Sequence, residues 1–111
     1  MNIKTARELA AALDSVEEKD HWGKPSFRYK GKIFMTLWVE ENRAMVKLSP
    51  IDQSVFCSVD SAIFFPVPGG WGKHGATFVD LKKVTKPMFK DALMMAYAGV
   101  TTKKAKKIIV K

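Results

Sequence analysis

Apolar residues near the amino terminus recur at the spacing of one helical face. The members of this stripe are Ala6, Leu9, Ala10, Leu13 and Val16. Thr5 and Glu8 stand three residues apart, which is the spacing of a capping box at the start of a helix. We therefore predict a first helix over the segment TARELAAALDSV.

From Ser26 onward the apolar spacing changes to every second residue, which is typical of strands with one buried face. A three-residue loop at 30–32 would set Tyr29 opposite Ile33. A two-residue loop would instead place Arg28 beside Ile33 in the core, where an unpaired charge costs too much free energy. We therefore expect the longer loop. The predicted inward face then carries Phe27, Tyr29, Ile33, Met35, Leu37, Ala44, Val46 and Leu48, and the outward face carries Arg28, Phe34, Thr36, Trp38, Met45 and Lys47.

The rest of the chain alternates between helical and strand patterns. SPIDQSVFCSVD predicts a short helix with Ser49 as N-cap and Pro50 in the first turn, and with Ile51, Val55 and Val59 on one side. AIFFPV and ATFVDL predict strands on either side of the glycine-rich loop PGGWGKHG. Thr85 can cap the helix KPMFKDALMMAYA, and TTKKAKKIIVK predicts a further basic helix. The order αβββαββα(α) indicates an α+β domain with an antiparallel sheet, and with the first helix and the Pro87 helix on the same face.

Composition fits one domain over residues 1–111. The chain has 111 residues, of which 47% are apolar, and this is enough for one core but not for two. No apolar run approaches the roughly 20 residues that a membrane helix needs, and the amino terminus lacks the pattern of a secretory signal. Cys57 has no second cysteine with which to form an internal disulfide. We expect a protein of the cytoplasm.

The positive charge is concentrated toward the carboxyl terminus. The formal net charge is +8, and the segment from Thr101 to Lys111 carries five lysines and no acid. Such an excess favours an anionic partner, either nucleic acid or an acidic protein surface.

The motifs that could carry chemistry are weak. Gly70, Gly72 and Gly75 satisfy GxGxxG, but a strand rather than a helix is predicted to follow, so a dinucleotide fingerprint is not expected. The same loop could hold one phosphate on its backbone amides with help from Lys73 and His74. His21, His74 and Cys57 lack the spacing of metal ligands. We therefore expect no metal, no cofactor and no enzymatic activity.

Four segments resemble one family. HWGKPSFRYKGKIFMTL, VKLSP, FFPVPGGWGKHGATFVDL and DALMMAYAGV, in this order, are similar to the MmcQ/YjbR family of small bacterial proteins. The resemblance implies a frataxin-like or secretion-chaperone-like α+β fold and a description as DNA-binding, with no catalytic residues to transfer. This chain has LDSVEEK where family members often have a Leu-Pro-Gly turn. The resemblance therefore does not predict how the chain continues after the first helix.

Cations interleaved with aromatic residues suit nucleic acid, because ammonium and guanidinium groups neutralise phosphates while rings stack on bases. An alternative is an adaptor or chaperone-like protein that binds an acidic partner, or a second copy, through the sheet face. Packing of Trp22 against Trp71 at the rim is a further alternative for those two residues. The residues predicted to bind nucleic acid are Trp22, Lys24, Arg28, Lys30, Lys32, Trp38, Lys47, Trp71, Lys73, His74, Lys103, Lys104, Lys106 and Lys107.

Overall fold

One antiparallel sheet organises the computed structural model, which describes residues 1–101. Within these residues six strands pair in the order β1-β2-β3-β4-β6-β5. The strands are β1 (Val16–His21), β2 (Lys24–Tyr29), β3 (Lys32–Trp38), β4 (Arg43–Lys47), β5 (Phe64–Pro66) and β6 (Ala76–Asp80). The helices are α1 (Ile3–Ala11), α2 (Pro50–Val59), α3 (Gly70–Lys73) and α4 (Lys86–Thr101). The expected α+β class is confirmed, while β1 and α3 are additions to the predicted order.

Helix α1 is shorter than its apolar stripe predicts. Asn2, rather than Thr5, is the N-cap, because the Asn2 side chain accepts a hydrogen bond from the Thr5 amide at 2.8 Å. The helix ends at Ala11, and Ser15 takes a left-handed φ of 61° where the chain reverses. Val16 therefore begins β1 instead of closing the helix.

Strand β1 was missed in the sequence because it lacks an alternating apolar pattern. Its residues between Val16 and His21 are all exposed, and the strand lies at the edge of the sheet. Charged residues are common on edge strands, where they discourage pairing with another chain. The Arg7 side chain forms an ion pair with Glu18, which links β1 to α1.

Both amino-terminal hairpins close through two-residue turns. Trp22 and Gly23 have φ of 57° and 81°, and Lys30 and Gly31 have φ of 50° and 82°. Positive φ at both central residues is the requirement of a type I′ turn, whose twist matches the strands it joins. The predicted three-residue loop at 30–32 is therefore wrong.

A β-bulge in β3 keeps Arg28 out of the core although the loop has only two residues. Arg28 does pair with Ile33, but the next pair is Phe27 with Met35, so Phe34 is an additional residue in β3. Phe34 is buried in the helix-covered core, with its ring 5.5 Å from that of Tyr97. Ile33 lines a cavity with Thr36 and Met45 on the opposite face, so the predicted inward Ile33 and outward Phe34 are both wrong. No charge enters the core, because Arg28 shares the face of Ile33.

The main core lies between the sheet and helices α1 and α4. Its fully buried large side chains include Phe27, Phe34, Met35, Leu37, Val46, Phe64, Val79, Leu81, Phe89 and Leu93. The Thr85 hydroxyl caps α4 at the Met88 amide, 3.4 Å away, and this helix buries Phe89, Ala92, Leu93 and Ala96 as its spacing predicts. Leu9 and Leu13 are half-buried against the same core. Both helices contribute to this core and contact β3 and β4, as expected for helices on one face of the sheet.

Helix α2 begins as predicted and packs beside β5. Ser49 caps it by accepting a hydrogen bond from the Asp52 amide at 3.0 Å, and Phe56 packs against Phe64 with ring centres 5.1 Å apart. Ile51, Val55 and Val59 do share one side, but that side is exposed. The predicted basic helix after Thr101 lies outside the described residues. Of the helices described, none is long and apolar enough to cross a membrane.

Candidate nucleic-acid interface

The face of the sheet opposite α1 and α4 carries its own small apolar cluster. Met45, Ala76 and Phe78 are buried there, with Trp38, Phe65 and Val67 packed around them. The rings of Trp38 and Phe78 meet edge to face at 4.8 Å between centres. Since strand side chains alternate between faces, the strand residues of this cluster occupy the outward positions of β3, β4, β5 and β6.

Two adjoining cavities lie over this cluster, with volumes of about 360 and 380 Å³. They share His21, Thr36, Met45 and Trp71, and together we call them the groove. The groove is lined by His21, Trp22, Lys24, Ile33, Thr36, Trp38, Met45, Lys47, Val67, Pro68, Trp71, His74 and Ala76. It crosses the sheet from β1 to the segment before β6.

The two WGK segments both contribute a tryptophan to the groove. Trp22 stands at the tip of the β1–β2 turn, and Trp71 stands on α3. Because Trp22 is 88% exposed and Trp71 64% exposed, the two indoles are not buried against each other. The alternative in which they pack together is therefore wrong, although both line one cavity.

Close backbone packing fixes α3. A Cβ on Gly72 would lie 1.8 Å from the Val67 carbonyl oxygen, and one on Gly75, whose φ is 108°, would lie 1.8 Å from the Leu48 carbonyl oxygen. The Gln53 side chain of α2 donates hydrogen bonds to the carbonyls of Gly72 at 2.9 Å and Ala76 at 3.0 Å. Close packing alone therefore accounts for the glycines at these two positions, and they are not evidence for a phosphate site.

Three of the amides that could have formed a phosphate site already have partners. The N–H groups of Lys73, His74 and Gly75 donate to the carbonyls of Gly69, Gly70 and Gly72 within the same segment. Because a backbone amide supplies a single proton, these three are not available to an anion. These three amides thus form hydrogen bonds within the loop itself.

Cations accompany the aromatic rings of this face. The Lys24 ammonium lies 4.5 Å from the centre of the Trp38 ring. The Arg43 guanidinium lies 5.1 Å from the centre of Phe78 and 5.4 Å from that of Phe65. Lys47 lines the groove and is exposed. Among residues 1–101, those that line the groove include no Asp or Glu, so its electrostatic character is cationic.

The structure brings six of the predicted site residues together in the groove: Trp22, Lys24, Trp38, Lys47, Trp71 and His74. Arg28 shares the face, but its Nε donates to the Ser26 hydroxyl at 3.1 Å and it does not line the groove. Lys73 is exposed beside Trp71 and is also outside the lining.

The lysines of the second hairpin lie apart from the groove. The Lys30 ammonium is 5.6 Å from the ring centre of Tyr29, and Tyr29 packs against Tyr97 of α4 on the helix-covered face. Lys32 pairs with Tyr29 beside that turn and is exposed. Lys103, Lys104, Lys106 and Lys107 lie outside the described residues.

Sequence reasoning missed several groove residues. The lining residues that are not among the predicted binding residues are His21, Ile33, Thr36, Met45, Val67, Pro68 and Ala76. Of these, Thr36 and Met45 do lie on the predicted outward face. Thr36 is buried and accepts a hydrogen bond from the Trp38 indole N–H at 3.1 Å. The available signal was the histidine next to each WGK, at His21 and His74, since both line one cavity.

Metal and thiol chemistry find little support in the described part of the chain. No group of three or more His, Cys, Asp or Glu residues there could hold a metal ion. Cys57 lies on α2, half-buried against the core, and burial raises the pKa of its thiol. A raised pKa lowers the thiolate fraction and hence the nucleophilicity of the sulfur at neutral pH.

Comparison with known proteins identifies the family. The crystal structure of the Deinococcus radiodurans protein DR2400, whose family-model domain is DUF419, superposes with a TM-score of 0.80 and 17% identity, covering 93% of this chain and 80% of that one. At this identity the likeness concerns the fold alone. No functionally described protein gives a significant match. A family model described as YjbR matches residues 11–99, and the chain therefore belongs to the MmcQ/YjbR family.

Proposed function

We propose that this protein binds nucleic acid, and DNA in particular, in the cytoplasm, through the groove and without catalysing a reaction. The observation that carries the proposal is the convergence of both WGK segments on the sheet face opposite α1 and α4, which is rich in aromatic residues and cations. The DNA-binding description attached to the family agrees with it.

The chemistry of the groove supports a phosphate-bearing partner. Lys24 and Lys47 line it, and the imidazoles of His21 and His74 can donate hydrogen bonds. Each phosphate that a lysine neutralises releases condensed counterions, so binding of this kind weakens as salt is raised. The net charge of +8 adds a long-range attraction that does not depend on sequence.

The groove offers little for covalent catalysis. A nucleophile needs a neighbouring base within hydrogen-bond reach. The Thr36 hydroxyl is buried and accepts from Trp38, and Cys57 is not among the lining residues in the described part of the chain. A binding role therefore uses the groove better than an enzymatic one.

The test is the affinity for labelled duplex and single-stranded DNA at low and physiological salt. We expect binding at low salt that weakens at physiological salt. Replacing both lysines, as Lys24→Gln/Lys47→Gln, should flatten the slope of log K against log salt on duplex DNA by up to about 1.8, because each phosphate contact contributes about 0.9.

The matched control is Lys86→Gln/Lys90→Gln, which removes the same charge from α4 on the opposite face of the sheet. The control should retain the parent's slope. Absence of binding at low salt would refute the proposal. An equal loss of slope in both double variants would show that the site does not lie in the groove.

A second candidate function is an adaptor that binds an acidic protein or a second copy through the same face. The exposure of Trp22 and Trp71 favours it, since large exposed apolar side chains commonly mark interfaces. Sedimentation separates self-association from the main proposal. A monomer mass that stays constant up to high protein concentration would exclude a dimer.

A further inference from the structure

The three indoles of the groove differ in what their faces can still contact. Trp38 is half-buried, with Lys24 over one face, Phe78 against it edge to face, and its N–H bonded to Thr36. Trp22 and Trp71 remain 88% and 64% exposed. Trp38 is therefore part of the groove floor, while Trp22 and Trp71 have ring surface available to a ligand.

The backbone at Trp22 places the exposed indole at the tip of a tight hairpin turn. Its φ of 57° puts Trp22 at the first central position of the type I′ turn between β1 and β2. Trp71 is fixed differently, through α3, where Gly72 packs directly against the Val67 backbone. Both indoles thus stand on supported backbone at one cavity of about 380 Å³.

We infer that the groove selects unpaired nucleotides, whose bases stack on Trp22 and Trp71 while Lys24 and Lys47 contact the phosphates. This inference rests on the proposed function and names its ligand class. In a duplex the bases are stacked on each other and present only their edges in the grooves. An indole face can be covered only by a base that has left the stack, and stacking of this kind tolerates any sequence.

The charge and the aromatic rings of the site together suit this ligand. Lys24 belongs to the cavity that holds Trp22, and Lys47 to the adjoining cavity, with Trp71 lining both. Cations and exposed rings thus lie within one groove, and a single strand can contact both because it carries phosphates and bases along one chain. In the described part of the chain the lining contains no carboxylate that would repel the strand.

The experiment compares three ligands of equal length with the full chain at low salt: oligothymidine, an abasic single strand and a blunt duplex. We expect oligothymidine to bind at least about tenfold more tightly than either of the others. The abasic strand keeps the phosphates but lacks bases, so the ratio of the two single-strand affinities isolates stacking. The affinity for the abasic strand also reports on folding, because a misfolded variant would lose affinity for both single strands.

Trp22→Asn and Trp71→Ala should each lower the affinity for oligothymidine about tenfold and leave the affinity for the abasic strand unchanged. Asn suits the left-handed backbone at position 22, so the first variant keeps the turn. The control is Met94→Ala, an exposed apolar residue on α4, which should keep both affinities.

Equal affinity for duplex and oligothymidine, or unchanged oligothymidine binding in both tryptophan variants, would overturn the inference. If Lys24→Gln/Lys47→Gln still weakened binding in that case, the proposed function would survive without it. A failure of all three ligands to bind at low salt would instead refute both.

Discussion

The ammonium group of Lys24 lies 4.5 Å from the centre of the Trp38 ring, so one cation of the groove is held against its aromatic floor. Cation–π contacts of this kind contribute about 0.5 to 1 kcal/mol at exposed sites. The same ring packs against Phe78 and donates its N–H to Thr36. Trp38 thus organises the face of the sheet opposite α1 and α4.

We expect Trp38→Ala to lower the free energy of unfolding by about 2 to 3 kcal/mol, below the range for a fully buried Trp because the residue is half-buried. Trp38→Phe should cost less, since a smaller ring can still meet Phe78 and Lys24. Urea denaturation of both variants measures the difference. Equal costs would show that the ring contacts do not stabilise this face.

Replacement of the turn residue Trp22 should increase the stability of the protein. Asn tolerates the left-handed backbone better than a bulky side chain, so Trp22→Asn should raise the free energy of unfolding by up to about 1 kcal/mol. Lys30→Asn makes the same change in the second hairpin and should stabilise similarly. Thermal denaturation provides the measurement, and a loss of stability in Trp22→Asn would mean that the indole packs more firmly than its exposure indicates.

Because of the bulge in β3, alanine substitutions at the neighbouring positions 33 and 34 should lower the free energy of unfolding by unequal amounts. Phe34→Ala should cost about 3 to 5 kcal/mol, because its ring is fully buried beside Tyr97. Ile33→Ala should cost less, since Ile33 is half-buried and lines the groove. Urea denaturation would contradict the observed register if the order of the two costs were reversed.

Helix α3 offers a matched pair of glycines. Gly72→Ala should destabilise the protein and displace Trp71, because its Cβ would lie 1.8 Å from the Val67 carbonyl oxygen. Gly70→Ala meets nothing within 4 Å and should change stability by no more than about 1 kcal/mol in either direction. Tryptophan fluorescence and thermal denaturation test both, and a tolerated Gly72→Ala would show that α3 can move away from Val67.

The stability of the protein should depend on pH through the Cys57 thiol, which should also react slowly in the folded state. Burial raises its pKa, so at pH 8 the folded protein should react with iodoacetamide more slowly than the protein in urea. The neutral thiol is favoured in the folded state, and this contribution to stability is lost as pH rises through the raised pKa. Cys57→Ser lacks the thiol and should lose less stability between pH 8 and 10. Equal alkylation rates in the folded and unfolded states would contradict the burial.

The sequence by itself determined the elements whose signals are local. The caps Ser49 and Thr85 lie within three residues of the amides they bind, so sequence alone marks the starts of α2 and α4. The core stripe of α4 follows from helical spacing, and the inward side of β4 follows from alternation. The four segments shared with the MmcQ/YjbR family also identified the fold class.

Only the tertiary structure decided the register of β3 and the composition of the groove. A single bulge exchanges the faces of Ile33 and Phe34, and it depends on how a type I′ turn and the α4 packing surface fit together, which no local pattern records. Edge strand β1 has no buried face to produce a periodic signal. The groove joins Trp22 to Trp71 across the intervening strands, and such proximity arises from sheet order rather than from sequence spacing.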